Sequence, residues 1–110
     1  MEICLLLIQI TISGEYILRF KNQMVEGESV TLSCTYDTSS SYVYLYWYRQ
    51  YPNTEPQYLL WKGARSNGGE HKIEQRFRPA TSQTSTELTI DSVTLSDSAL
   101  YYCALRVEAQ

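Results

Sequence analysis

The stretch Asp97-Ser98-Ala99-Leu100-Tyr101-Tyr102-Cys103 decides the fold predicted for this chain of 110 residues. Alternate side chains of a strand point to the same side, so Ala99, Tyr101 and Cys103 share the inner face of one predicted strand. Upstream lie a second cysteine, Cys34, and a tryptophan, Trp47. The order Cys, Trp, Asp-x-Ala-x-Tyr-x-Cys is the most specific motif in the sequence.

Three further strands are predicted from an alternation of apolar and polar residues. They cover residues 29–34, 45–50 and 86–90, and they turn Leu32, Trp47 and Leu88 respectively toward one side. Clusters of turn-forming residues separate them at intervals typical of a β-sandwich. The fold class is therefore predicted to be all-β.

Length and charge indicate how many domains the chain has and which partners it is not expected to bind. A chain of 110 residues is one domain. Its net charge of −3 and the scattering of its nine basic residues give no basis for binding nucleic acid or anionic lipid. We therefore expect neither partner.

The N-terminus carries an apolar run at residues 3–12, about the length of a signal-peptide core and too short to span a membrane. Residues 1–14 are therefore predicted to be a signal peptide, with which Cys4 would be removed. The alternative is an N-terminal strand packed in the core. No second apolar run of membrane-spanning length follows, so a membrane tether would have to come from sequence outside this chain.

Five stretches of the sequence carry a resemblance to a known family. They are residues 26–34, 47–52, 56–60, 76–77 and 97–103. From about residue 26 to residue 105 the chain resembles a variable-type immunoglobulin domain, and within that class a T-cell receptor alpha or delta variable segment. The resemblance implies an immunoglobulin V-type Greek-key β-sandwich over residues 15–110.

The resemblance also implies a covalent link inside the core. Cys34 and Cys103 would form a disulfide beside Trp47, with Leu88 and Tyr101 in the same core. A disulfide of this kind persists in an oxidising compartment. Closing the loop would stabilise the fold by roughly 4 kcal/mol in the chain-entropy account.

Arg76 and Asp97 match a pair that similar domains join as a salt bridge at the end away from the binding loops. A bidentate contact there would brace the turn into the last predicted strand. The alternative is two solvated surface charges.

The outward face of two strands would pack against the variable domain of a second chain. The implied pairing residues are Tyr48, Gln50, Pro56, Tyr58 and Tyr102. Aromatic rings bury large area at low rotamer cost, and a glutamine amide can pair reciprocally across a pseudo-symmetric interface. The alternative is that tyrosine simply favours strands.

Three loops would gather at one end of the sandwich, around residues 37–44, around 62–70 and from Ala104 onward. The implied antigen-contact residues are Ser40, Ser41, Tyr42, Lys62, Arg65, Asn67 and Arg106. A mixture of hydroxyl and tyrosine side chains is typical of recognition loops, although it also marks ordinary solvated loops. Residues 67–69 tolerate positive φ and predict a tight hairpin.

No enzymatic activity, metal or cofactor is predicted. His71 is the only histidine, so neither a His cluster nor a Ser-His-Asp constellation can be assembled. No Gly-rich phosphate loop is present either.

The predicted function is antigen recognition by a T-cell receptor alpha or delta chain. The resemblance implies pairing with a beta or gamma chain, binding to peptide presented by a histocompatibility molecule (peptide–MHC), and a place on the extracellular side of the plasma membrane. Two alternatives stay open: a non-rearranging V-type receptor or adhesion domain, and an antibody light-chain variable segment.

No Phe-Gly-x-Gly joining motif follows Cys103, so the last strand of the V-type sandwich, strand G, is predicted to be missing, and the predicted strand that contains Cys103, strand F, to have an unpaired edge. Such a segment would fold marginally on its own.

Overall fold

The computed structural model describes residues 9–12, 15–18 and 26–107, and these residues form two antiparallel sheets. The strands are β1 (Gln9–Ile12), β2 (Glu15–Leu18), β3 (Val30–Thr35), β4 (Tyr42–Gln50), β5 (Gln57–Arg65), β6 (Glu70–Lys72), β7 (Phe77–Thr81), β8 (Ser85–Ile90) and β9 (Leu100–Val107). One 3-10 turn, Leu95–Asp97, precedes β9. In the part of the chain so described, no helix is long and apolar enough to cross a membrane.

The larger sheet has the strand order β1-β2-β9-β4-β5-β6, and the smaller has the order β3-β8-β7. Strands β3 and β4 follow one another in sequence but lie in different sheets, and so do β8 and β9. The chain therefore crosses repeatedly between two layers. The four strands expected from the alternation are β3, β4, β8 and β9, and the all-β sandwich is confirmed.

The core lies between the sheets and is built from the inward half of each alternation. Along β4 every second residue is buried, and Trp47 has no exposed surface. The disulfide joins Cys34 of β3 to Cys103 of β9, which links the two sheets covalently. The indole Nε1 of Trp47 donates a hydrogen bond to Thr86 Oγ1 at 3.2 Å, so the one polar atom of that ring is satisfied in the core.

The prediction that the edge of β9 is unpaired is wrong. Strand β2 pairs antiparallel with β9, with Glu15 opposite Ala104 and Leu18 opposite Tyr101. The row of backbone donors and acceptors along an edge strand favours a partner, and β2 supplies one. Strand β1 lies within the predicted signal peptide and pairs with β2; removal of residues 1–14 stays a prediction, and Cys4 lies outside the described residues.

The strands extend further toward the loop end than the sequence predicted. Tyr42 pairs with Arg65, and Val43 pairs with Val107. The antiparallel ladder of β4 thus continues through residues expected to be loops. Tyr42, Lys62, Arg65 and Arg106 consequently belong to strands.

Candidate recognition surface

The outer surface of the larger sheet carries a continuous group of aromatic rings, here called the aromatic face. Its members are Tyr44, Tyr46, Tyr48, Tyr58, Trp61 and Tyr102, and all six are half-buried. Tyr44, Tyr46 and Tyr48 occupy every second position of β4, so they project on one side. Successive ring centroids in that row are 6.3 Å apart, and the rings are stacked.

A β-bulge brings the aromatic residues of β5 against this row. Trp47 pairs with Leu60, but the next residue, Tyr48, pairs with Tyr58, so Leu59 is the extra residue. Both leucines are buried. Tyr58 therefore faces outward, with its ring centroid 6.1 Å from that of Tyr48 in an edge-to-face arrangement.

The margin of the aromatic face is polar. The hydroxyl of Tyr58 lies 2.8 Å from His71 Nδ1, and the two rings stack with centroids 5.8 Å apart. Burial, followed by the neighbouring Tyr46 and Tyr48, raises the pKa of Tyr58. Lys62 and Glu70 form an ion pair at 2.8 Å, and the hydrogen bond from Lys62 lowers the pKa of Glu70.

Gln50 lies at the end of β4 nearest the 3-10 turn, and its amide is half engaged. Its Oε1 accepts a hydrogen bond from the hydroxyl of Tyr102, and its Nε2 donates to the carbonyl oxygen of Thr54 at 2.8 Å. A primary amide has two donors and two acceptor lone pairs, so one of each has no partner among the residues that the structure describes. Tyr48, Pro56 and Tyr102 line an adjoining groove of about 300 Å³.

The structure thus brings the five expected pairing residues together on one side of the sheet. Tyr44, Tyr46 and Trp61 also belong to this surface, although they were not predicted from the sequence. The spacing of tyrosines at positions 42, 44, 46 and 48 was the available signal, because alternate residues of a strand share a face.

Of the seven expected contact residues, Ser41 and Tyr42 are exposed at the loop end. Ser40 precedes them and is bonded to the backbone of Tyr42: its Oγ accepts a hydrogen bond from the N–H of Tyr42 and donates to the carbonyl oxygen of the same residue, both at 3.2 Å. Lys62 lies on β5, three residues before the loop end, and forms the ion pair with Glu70.

Arg106 lies on the aromatic face, because β9 continues to Val107. Its guanidinium donates to the hydroxyl of Tyr46 at 2.8 Å and lies 4.6 Å from the ring centroid of Tyr44. The side chain therefore extends the aromatic face toward the loop end.

Asn67 was expected to be a contact residue, and this prediction is wrong. Its side chain is only 4 % exposed. Nδ2 donates to the carbonyl oxygen of Val43 at 3.1 Å, and Oδ1 accepts from the N–H of Gly69 at 3.0 Å. Buried amides need such partners, and these two hydrogen bonds show that Asn67 stabilises the β5–β6 hairpin from inside. The positive φ expected at residues 67–69 occurs instead at Arg65, where φ is 61°.

The opposite end of the sandwich is held by a buried carboxylate. Asp97 accepts hydrogen bonds from Arg76 at 2.9 and 3.0 Å, and from the N–H of Thr94 at 2.9 Å. Burial tends to raise the pKa of Asp97, but these hydrogen bonds and the charge of Arg76 outweigh it, so the pKa is lowered. The carbonyl oxygen of Asp97 accepts from the hydroxyl of Tyr101 at 2.5 Å; burial raises the pKa of this tyrosine.

Arg49 is a second cation at this end, and its contact with Asp97 was not predicted from the sequence. It is 6 % exposed, and its guanidinium lies 3.5 Å from Asp97 and 3.0 Å from Gln57 Oε1. Its place on β4, two residues after the inward Trp47, was the signal. In residues 26–107 no group of three or more His, Cys, Asp or Glu side chains could hold a metal ion.

Comparison with known proteins agrees with this geometry. Residues 21–110 match the immunoglobulin V-set domain. Human T cell receptor alpha variable 38-2/delta variable 8 is 41 % identical over 83 residues, which cover 74 % of this chain and 70 % of that segment. Human T cell receptor alpha variable 9-1 is 39 % identical over 97 residues, covering 86 % and 84 %.

A third relative is a longer chain. The human T cell receptor alpha chain MC.7.G5 is 41 % identical over 83 residues, which cover 74 % of this chain but 30 % of that one. The matched part thus spans about a third of the length of that relative. It belongs to the immunoglobulin V-set family and, within it, to the variable segments of T cell receptor alpha and delta chains.

Proposed function

We propose that this chain is the antigen-recognition domain of an alpha or delta receptor chain. It pairs with the variable domain of a beta or gamma chain through the aromatic face, and it contacts peptide–MHC through the loop end. It reaches the extracellular side of the plasma membrane by the secretory pathway. The observation that carries the proposal is the aromatic face itself.

The aromatic face has the properties of a protein interface. The outer surface of an antiparallel sheet is usually polar where it meets water, but here six neighbouring side chains are aromatic. Five of the six rings contact one another, and the hydroxyl of Tyr102 is bonded to Gln50, so little side-chain freedom remains to be lost on association. The spare donor and acceptor of Gln50 provide a directional contact beside them.

The side chains exposed at the loop end suit recognition of another protein. Ser41 and Tyr42 are exposed there, and hydroxyl and tyrosine side chains suit recognition of varied protein surfaces. Recognition of this kind is non-covalent and needs no cofactor.

Pairing is tested by fusing the chain to matched joining and constant regions and measuring surface assembly with beta or gamma chains. Tyr48→Ala and Tyr58→Ala each remove a ring from the aromatic face. We expect each to weaken assembly by about 2 kcal/mol, or roughly 30-fold, as for an interface hot spot. Thr89→Ala, on the opposite sheet, is the control and should assemble normally.

Normal assembly of both tyrosine variants would contradict pairing through this surface. Antigen contact is tested separately with Tyr42→Ala, which should assemble normally yet bind peptide–MHC more weakly. Unchanged binding by that variant would argue against antigen contact by Tyr42.

A further inference from the structure

Arg65 lies at the end of β5 and donates four hydrogen bonds to backbone carbonyl oxygens of two other segments. Nη1 donates to Thr38 and to Ser40, each at 2.6 Å. Nε and Nη2 both donate to Gln83, at 3.2 and 2.6 Å. Four of the five N–H donors of the guanidinium are thus engaged inside the chain.

The acceptors belong to segments that are far apart in sequence. Thr38 and Ser40 lie in the first loop, which connects β3 to β4, whereas Gln83 lies in the turn between β7 and β8. Arg65 itself is the last residue of β5, next to the second loop, which connects β5 to β6. One side chain therefore joins three connections at the same end of the sandwich.

Two backbone hydrogen bonds cross between the same segments. The N–H of Ser66 donates to the carbonyl oxygen of Ser41 at 2.8 Å, and that of Tyr36 donates to Thr84 at 2.9 Å. The ring of Tyr36 lies under the guanidinium, 5.2 Å from its central carbon, and its hydroxyl donates to Ser82 at 2.6 Å. The guanidinium of Arg65 is thus covered on one side by the ring of Tyr36.

We infer that Arg65 is a positioning residue that holds the first loop, the second loop and the β7–β8 turn as one rigid unit. The consequence for ligand binding rests on the proposed function, whereas the coupling of the loops does not. Arg65 was expected to contact antigen directly. The geometry assigns its donors to the chain's own backbone instead.

The shape of the guanidinium explains why arginine occupies this position. Carbonyl oxygens on two sides are reached by a planar group with donors pointing in several directions, and a lysine ammonium cannot reach both sides at once. The left-handed backbone at Arg65, with φ of 61°, directs the chain into the second loop. Asparagine tolerates this conformation better than most residues but is too short to make the same contacts.

Amide hydrogen exchange of the isotope-labelled 110-residue chain, read by NMR, tests the coupling without any partner. In Arg65→Asn we expect the amides of Tyr36 and Ser66 to exchange faster by on the order of tenfold, because their hydrogen bonds cross the segments that Arg65 joins. Amides in the middle of β4 should keep their rates. Arg78→Asn removes an exposed arginine from the other sheet and is the matched control, for which both amides should be unchanged.

Unchanged exchange of Tyr36 and Ser66 in Arg65→Asn would overturn the inference. If that variant does not fold, Arg65→Lys decides, because it keeps the charge and most of the side chain. Faster exchange of either amide in the folded lysine variant supports the coupling, and wild-type rates of both contradict it.

The binding consequence has a separate readout in the receptor fusion. Faster loop exchange with weakened peptide–MHC binding supports the positioning role. Weakened binding with unchanged exchange would show direct contact by Arg65 and overturn it. Failure of the wild-type fusion to bind any peptide–MHC would count against the proposed function alone, since the exchange result is obtained without it.

Discussion

At the scale of single residues, Asp97 determines how one end of the sandwich is held. Its carboxylate is buried and contacts both Arg76 and Arg49, so two cations share one anion. Removing one member of a buried ionic group leaves the others without compensation, which costs more than the group contributes as a whole. Asp97 is therefore the most sensitive position of this cluster.

Asp97→Asn should lower the free energy of unfolding by about 3 kcal/mol, because the buried Arg49 and the half-buried Arg76 lose their common counter-charge. Urea unfolding at neutral pH measures the change. Asp91→Asn is the control: it removes a carboxylate from the exposed ion pair with Arg78, and a far smaller effect is expected. Equal midpoints for the Asp97 variant and wild type would contradict this account.

The pKa values of these carboxylates predict how stability depends on pH. The pKa of Asp97 is lowered, and that of Asp91 is lowered to about 2, chiefly by hydrogen bonds from Arg78 and Ser29. In the unfolded chain both titrate near 3.9. The folded state binds protons less readily, so this stabilisation is complete above about pH 4 and is lost as the pH falls toward 2.

Urea midpoints measured from pH 7 to pH 2 should therefore be nearly constant at first and then fall below about pH 4. The decline should be shallower in Asp97→Asn, which lacks one of the responsible groups. A variant whose midpoints run parallel to those of wild type would contradict the assignment.

At the scale of elements, the β5–β6 hairpin depends on a close approach between Gly63 and Asn67. A Cβ at position 63 would lie 2.4 Å from Asn67 Cγ, whereas a Cβ at Gly68 would meet nothing within 4 Å. Gly63→Ala should destabilise the chain by about 1–3 kcal/mol through overpacking. Gly68→Ala, in the same hairpin, should be neutral or slightly stabilising by about 0.5 kcal/mol.

Thermal unfolding of the two glycine variants measures this difference directly. A clear fall in Tm is expected for Gly63→Ala alone. Equal values of Tm for both variants would show that Asn67 can move aside, and that its buried hydrogen bonds do not hold the hairpin.

Prediction from sequence succeeded where one periodicity decided the structure. The alternation identified β3, β4, β8 and β9, and Trp47 is buried as its position requires. It failed at the strand ends, because a strand continues as long as its neighbour offers backbone partners, and those partners lie far away in sequence. Composition likewise made Asn67 resemble a solvated loop residue. Its buried partner, the carbonyl oxygen of Val43, is 24 residues away.

At the scale of the whole molecule, different interactions hold the two ends. At one end Asp97 forms ion pairs with Arg49 and Arg76. At the other end Arg65 donates hydrogen bonds to the first loop and to the β7–β8 turn. The aromatic face lies on the side of the larger sheet between these two ends. A single covalent link crosses the core beneath that face: Cys34 and Cys103 belong to different sheets, with their Cα atoms 6.7 Å apart. The relative placement of the two sheets therefore depends strongly on this disulfide.

The double variant Cys34→Ala/Cys103→Ala should lose about 4 kcal/mol of stability, because the disulfide closes a loop with a sequence separation of 69. Domains are typically stable by only about 5–15 kcal/mol, so this loss is a large share of the total. Urea unfolding followed by tryptophan fluorescence measures it, since Trp47 is fully buried in the folded chain. Wild-type protein treated with dithiothreitol is the control and should show a similar loss, and an unchanged midpoint in both samples would contradict a stabilising role for the disulfide.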